Sequence, residues 1–110
     1  MIQVQLNLPE LDNQGKSNRR YLNQLEVEAS KKFGGLTSFK GQGKWLNANK
    51  LYDEQINIYQ FAIKKLQKKI FLTLAKKYGV LTGQLAIYVM IDGQVKIIIL
   101  INIIFNTTGD

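Results

Sequence analysis

The 110 residues include neither cysteine nor histidine. Without cysteine there is no disulfide, no thiolate nucleophile and no sulfur-ligated metal. Without histidine the commonest general base and the commonest zinc ligand are missing. Any catalysis must then rest on carboxylates, tyrosine, lysine, serine or threonine, and neither a cofactor nor a metal site is expected. Proline occurs once, at Pro9. Apolar runs such as Ile97 to Ile101 fall far short of the roughly 20 residues that a membrane helix needs. Residues 2–8 alternate apolar and polar, where a signal peptide would need a basic start and a continuous apolar stretch. The expectation is a soluble, cytoplasmic chain with no membrane partner.

Acid is also missing over a long stretch. From Gln55 to Ile91 there is no Asp or Glu, while six lysines fall there: Lys64, Lys65, Lys68, Lys69, Lys76 and Lys77. The remainder holds nine basic and eight acidic residues, so the net charge of +7 is a local feature.

What is present reads as an α+β chain. Its length suits one domain over residues 1–105, with 106–110 as a frayed tail. Residues 2–8 read as a strand ended by Pro9, and Glu10 to Lys16 as a loop. A helix starts at Ser17 or Asn18, buries Tyr21, Leu22, Leu25, Ala29 and Phe33, and stops at Gly34-Gly35. A strand follows from Leu36 to Leu46, with a bulge or bend expected at Gly41 and Gly43. After a turn at 47–50, a third strand covers 51–62, with Ile56 and Ile58 on its apolar side. A second helix over 63–78 presents Ile63, Leu66, Ile70, Phe71, Leu74 and Tyr78, and Gly79 closes it. A fourth strand over 84–91, an Asp92-Gly93 hairpin turn and a fifth strand over 94–105 complete the chain. This order, β-α-β-β-α-β with an added C-terminal strand, predicts a ferredoxin-like sandwich with both helices on one sheet face. The alternative is an α+β order with the final hairpin at the sheet centre.

The stretch Gly34-Gly35-Leu36-Thr37-Ser38-Phe39-Lys40-Gly41-Gln42-Gly43-Lys44-Trp45 resembles the signature of a small bacterial family of uncharacterised ferredoxin-like proteins. There, a Gly-Leu-Thr opening leads into a strand ending in Gly-x-Trp, and a glutamate opens the next strand. Glu54 before Ile56 and Ile58 is similar, as are Tyr78 and the run Gln84 to Val89. The likeness spans residues 12–91. It implies the fold and carries no activity.

Five groups of residues are candidates for function. Lys64, Lys65, Lys68, Lys69 and Lys76 share one arc of the second helix, opposite its apolar face, and Leu72 falls on the same arc. Such a surface suits either nucleic acid or plain solvation. The sheet face away from the helices is expected to carry Gln3, Gln5, Asn7, Gln55, Asn57, Tyr59 and Phe61. RNA-binding sheets stack bases at that place, but here glutamines stand where aromatics are needed. The last two strands are apolar on both faces, which predicts an interface between copies through Tyr88, Met90, Ile97, Ile99 and Ile101. Glu10 and Asp12 form a loop carboxylate pair, read as solvated in preference to metal-binding. Trp45, Glu54 and Tyr59 form a possible binding site, because a carboxylate beside an indole can have a raised pKa. Gly41-Gln42-Gly43-Lys44 is no phosphate loop, since Ser38 and Trp45 stand where glycine and Ser/Thr are required.

The leading expectation is therefore a non-enzymatic, homodimeric interaction or binding module. The alternatives are a nucleic-acid binder using the Lys64–Lys77 face and a small enzyme relying on Glu54.

Overall fold

Strand β1 (Ile2–Pro9) sets the frame, because its even positions are apolar and Gln3, Gln5 and Asn7 between them are polar. Ile2, Val4, Leu6 and Leu8 are buried together in the main hydrophobic cluster. The computed structural model describes residues 1–100. In chain order the elements after β1 are α1 (Arg19–Phe33), β2 (Thr37–Asn47), β3 (Lys50–Ile63), α2 (Lys68–Leu81), β4 (Ala86–Ile91) and β5 (Gln94–Ile99). A short 3-10 turn, Lys65–Gln67, precedes α2. The α+β character expected from the sequence holds: five antiparallel strands in the order β2-β3-β1-β4-β5 form one sheet. The final hairpin lies at an edge of that sheet and not at its centre. No described helix is long and apolar enough to cross a membrane.

Both helices bury their apolar stripes against one sheet face. α1 contributes Leu22, Leu25 and Ala29. It ends at Gly34, whose φ of 89° is the left-handed stop that glycine adopts without steric cost. Asn18 precedes the helix without capping it, and its side-chain amide donates to the Pro9 carbonyl at 3.1 Å.

Three expectations are corrected. First, Ile56 and Ile58 do not face the helices. Tyr59, Phe61 and Ile63 are buried there, and Asn57 with them. The reason is register: Ile63, Phe61, Tyr59 and Asn57 pair with Ile2, Val4, Leu6 and Leu8, the apolar side of β1. Opposite partners share a face, so two aromatics and an isoleucine displace Ile56 and Ile58 to the open side.

Second, the second helix does not begin at residue 63. Pairing with Ile2 holds Ile63 in β3, so Lys64 and Lys65 precede the helix and the lysine arc is divided. Leu66 is 93% exposed and Ile70 is also exposed, whereas Leu72 packs against the core. Gly79 lies inside α2 because the helix touches the sheet there. A Cβ on Gly79 would stand 2.5 Å from Leu100 Cδ1 and 2.8 Å from Ile87 Cγ2.

Third, Gly41 and Gly43 make no bulge. The β2–β3 ladder runs unbroken from Thr37–Gln60 to Asn47–Lys50. The hairpin closes through Ala48 and Asn49, both at positive φ, as a two-residue turn requires. The Asp92-Gly93 turn forms as expected, pairing Ile91 with Gln94. The expected continuation of β5 to residue 105, the tail and Ile101 lie outside the described residues.

Candidate active site

Beyond Ile56, where the β1 ladder ends, β3 continues with β2 alone as a two-stranded ribbon. A cleft of about 830 Å³ opens where this ribbon meets the ends of β1 and β4. Its walls are Asn7 and Pro9 from β1, Gly43, Lys44 and Trp45 from β2, and Glu54 and Ile56 from β3. Gln84, Ala86, Ile87, Tyr88 and Ile97 close the far side. The volume falls within the about 300–1,000 Å³ typical of small-molecule sites.

The cleft is mostly apolar, with few polar groups, and Glu54 is the ionisable one that matters most. Burial alone pushes its carboxyl above the ordinary 4.5, and no hydrogen bond or ion pair pulls it back. Its neighbours differ. A second hollow of about 490 Å³ shares Glu54 with Glu10, Asp12 and Asp53. Glu10 accepts from Arg19 Nη2 at 2.7 Å and from the Asn57 amide. Asp12 accepts from the backbone N–H groups of Gln14 and Lys16 at 2.8 and 2.9 Å. Asp53 is bonded by Gln42 and lies 3.4 Å from Lys44 Nζ. Three carboxylates are thus engaged within the protein, and Glu54 is left for something else. The loop acids form no metal cluster: no group of three or more candidate ligands occurs among the described residues.

Gly43 lines the cleft and keeps it open, whereas a Cβ on Gly41 would stand 2.9 Å from Ile58 Cδ1. Gly43 pairs with Glu54 and Gly41 with Ile56, so on this face no β2 side chain stands over either residue. Sequence reasoning saw these glycines only as backbone irregularities and missed this role. Trp45 pairs with Tyr52 across the ribbon, their rings 5.5 Å apart and within 12° of parallel.

Of the sequence-derived candidates, Trp45, Glu54, Tyr88 and Ile97 meet at this cleft. Met90 pairs with Val95 and shares the open face, as does Ile99, opposite Ala86. Tyr59 is elsewhere. It is buried on the helix side and its hydroxyl donates to Glu26 at 2.8 Å. That burial, together with the Glu26 carboxylate, pushes its phenol well above its ordinary value. Asn57 and Phe61 are likewise on the helix side, so Phe39, Ile56 and Ile58 stand with Gln3, Gln5 and Asn7 on the open face. Lys68, Lys69 and Lys76 remain on α2, apart from Lys64 and Lys65.

A groove of about 550 Å³ between the helices, lined by Val27, Glu28 and Tyr78, is chemically satisfied by comparison. Glu28 is paired with Lys32 at 3.1 Å and Lys77 at 2.9 Å, and accepts from the Tyr78 hydroxyl at 2.7 Å.

No family model and no curated protein matches the chain. Solved structures do. A phage SAM lyase in complex with S-methyl-5′-thioadenosine superposes with a TM-score of 0.67 at 13% identity, covering 89% of this chain and 88% of that one. A phage SAM lyase in the apo state gives 0.64 at 10% identity over the same shares. The likeness is one of fold. It nevertheless overturns the leading expectation of a non-enzymatic module, because both of these structures are of an enzyme. Lys65 stands in the 3-10 turn that leads into α2, and Lys64 just before it.

Proposed function

We propose that the chain is a lyase acting on S-adenosylmethionine or a closely related sulfonium, with S-methyl-5′-thioadenosine as the leaving product. The observation that carries this reading is the half-buried, unpartnered Glu54 in an apolar cleft, on a fold shared with SAM lyases. A half-buried carboxylate without an internal partner favours a cationic ligand. S-Adenosylmethionine brings two positive groups, an ammonium and a sulfonium.

The chemistry asks little of the protein. The bond between sulfur and the amino-acid chain breaks with both electrons going to sulfur, and the sulfonium becomes a neutral thioether. The hydrogens on the adjacent carbon have no neighbouring carbonyl to stabilise a carbanion, which disfavours elimination. Attack by the substrate's own carboxylate oxygen on the carbon bearing sulfur balances instead, closing a five-membered lactone with no net proton transfer. This step turns a carboxylate and a sulfonium into an uncharged ester and thioether while the ammonium keeps its charge, so apolar walls such as Ile56, Ile87 and Ile97 favour it. Glu54 holds the ammonium, which leaves the substrate carboxylate free to react.

The test is direct. Purified protein incubated with S-adenosylmethionine is expected to release S-methyl-5′-thioadenosine, read by chromatography. Glu54→Gln should lower kcat/KM by about 10- to 100-fold, the worth of one charge-assisted contact. Absence of the thioether with the unmodified protein would overturn the reading.

Two finer features belong to the same proposal. The strand order and the placement of both helices on one face support a ferredoxin-like sandwich extended by β5. The open face at the β5 edge supports self-association of the enzyme: Val95, Ile97 and Ile99 are 54%, 59% and 49% exposed, beside Tyr88 and Met90. A bare apolar edge of this kind is an aggregation hazard unless covered. Light scattering should show more than one copy per particle, and Ile97→Asp should reduce that number. A folded monomer at micromolar concentration would refute self-association.

A further inference from the structure

We infer that Trp45 is the platform on which the adenine ring of the substrate stacks, with Tyr52 as the positioning residue that fixes the plane of the indole. This deepens the lyase reading and rests on it.

The stack has no sufficient structural role. It stands on the two-stranded ribbon, past the end of the β1 ladder, and Trp45 remains 45% exposed. The positive-φ turn at Ala48 and Asn49 already sets the hairpin register. Two large rings placed there gain only part of the burial energy that a core site would give them. What they do gain is a fixed aromatic surface at the wall of the cleft, since Trp45 lines it and Tyr52 stacks parallel against it. Lys50 Nζ lies 5.1 Å from the Tyr52 ring centre, which further holds the supporting ring.

The neighbouring position completes the argument. Gly43 and Trp45 are two residues apart on β2 and share a face, so the strip beside the indole carries no side chain. Glu54 stands opposite Gly43, one side-chain row from the Trp45–Tyr52 pair, a step of about 7 Å along the strand. A nucleoside stacked on the indole therefore directs its 5′ sulfur along the bare strip toward Glu54. A flat, weakly polar base with a cationic group one row further on is the ligand shape that this arrangement recognises.

Trp45 is the only tryptophan in the chain, so its emission reports on the platform without labelling. Titration of the full chain with S-methyl-5′-thioadenosine should quench that emission saturably, and methionine, which lacks the base, should not. Base stacking of this kind contributes enough that Trp45→Ala should weaken binding of the thioether by about 5- to 150-fold in equilibrium dialysis. Trp45→Phe, which keeps a ring against Tyr52, should retain most of the affinity and guards against misfolding of the alanine variant. Absence of quenching overturns the inference, as does an unchanged dissociation constant in Trp45→Ala. The two readings fail separately. Cleavage of S-adenosylmethionine with equal kcat/KM in Trp45→Ala removes the platform and leaves the lyase. Quenching by the thioether without any cleavage keeps the platform and removes the assigned reaction.

Discussion

Replacing Glu10 by alanine is the perturbation whose cost can be worked most fully. Glu10 accepts from Arg19 Nη2 at 2.7 and 3.0 Å, from Arg19 Nε at 3.2 Å, and from the buried Asn57 amide. Hydrogen bonds to a charged group contribute about 1.5–3 kcal/mol. Arg19 is 37% exposed and keeps Glu26 at 3.2 Å, so solvent and this second partner reduce its share to about 1.5 kcal/mol. Asn57 has no such recourse, and an amide left without its acceptor adds about 1 kcal/mol. Glu10→Ala should therefore destabilise the protein by about 2–3 kcal/mol, or about 10–20 °C in Tm for a domain of this size. Urea and thermal unfolding measure this, and Glu10→Gln should cost about half as much. The pH dependence has a fixed sign. The Arg19 guanidinium holds the Glu10 carboxyl below its ordinary 4.5 in the folded state, so the contribution is complete above that value and lost as pH falls through the folded one. That part of the acid transition should vanish in Glu10→Ala. A loss below about 0.5 kcal/mol, or strictly additive effects of Glu10→Ala and Arg19→Ala, would refute the reasoning.

Three further outcomes are expected. Gly43→Leu should lower activity by about 100-fold by filling the strip beside Glu54. Its Cβ meets Ile56 Cγ2 at 3.5 Å and Glu54 Cγ at 3.6 Å, ordinary contacts, so stability should change by less than about 1 kcal/mol. Gly79→Ala should destabilise by about 1 kcal/mol in denaturant melts, because overpacking of about 1–3 kcal/mol against Leu100 and Ile87 outweighs a helix-propensity gain of about 1 kcal/mol. Glu28, held down to about 2 chiefly by Lys77 and Tyr78, adds stability that is present above about 4.5 and lost as pH falls toward 2. Glu28→Gln should flatten the acid limb of a Tm-versus-pH series in that window.

Local signals made much of the fold legible. The Asp92-Gly93 turn, the Gly34 stop and the alternation of β1 each depend on neighbours in sequence. The face of β3 does not. Ile56 and Ile58 follow one phase, while Tyr59, Phe61 and Ile63 follow the other, and both have the period of a strand. Pairing with β1 decides between them, and that pairing joins residues some 50 positions apart. The same pairing keeps Ile63 in the strand, although the pattern from Ile63 onward also fits a helix. At the site, Trp45 and Glu54 are legible as an indole and a carboxylate facing each other across a hairpin, and Tyr88 and Ile97 through their excess of apolar surface. Gly43 was visible only as a glycine, because what a missing side chain uncovers depends on the opposite strand. Glu10 and Asp12 are neighbours in the loop sequence, whereas the partners of Glu10, Arg19 and Asn57, are brought to it by the start of α1 and by β3. Tyr59 and Glu54 lie five residues apart on one unbroken strand, so alternation alone puts them on opposite faces of the sheet.

The central claim is that Glu54 binds the cationic arm of a sulfonium substrate in its ionised form. The measurement closest to it is the pH dependence of kcat/KM for release of S-methyl-5′-thioadenosine. Burial raises the Glu54 carboxyl, so activity should fall on the acid side at a pH above the ordinary glutamate value, and Glu54→Gln should show a low rate without that limb. An acid limb that persists unchanged in Glu54→Gln, or full activity in that variant, would contradict the account.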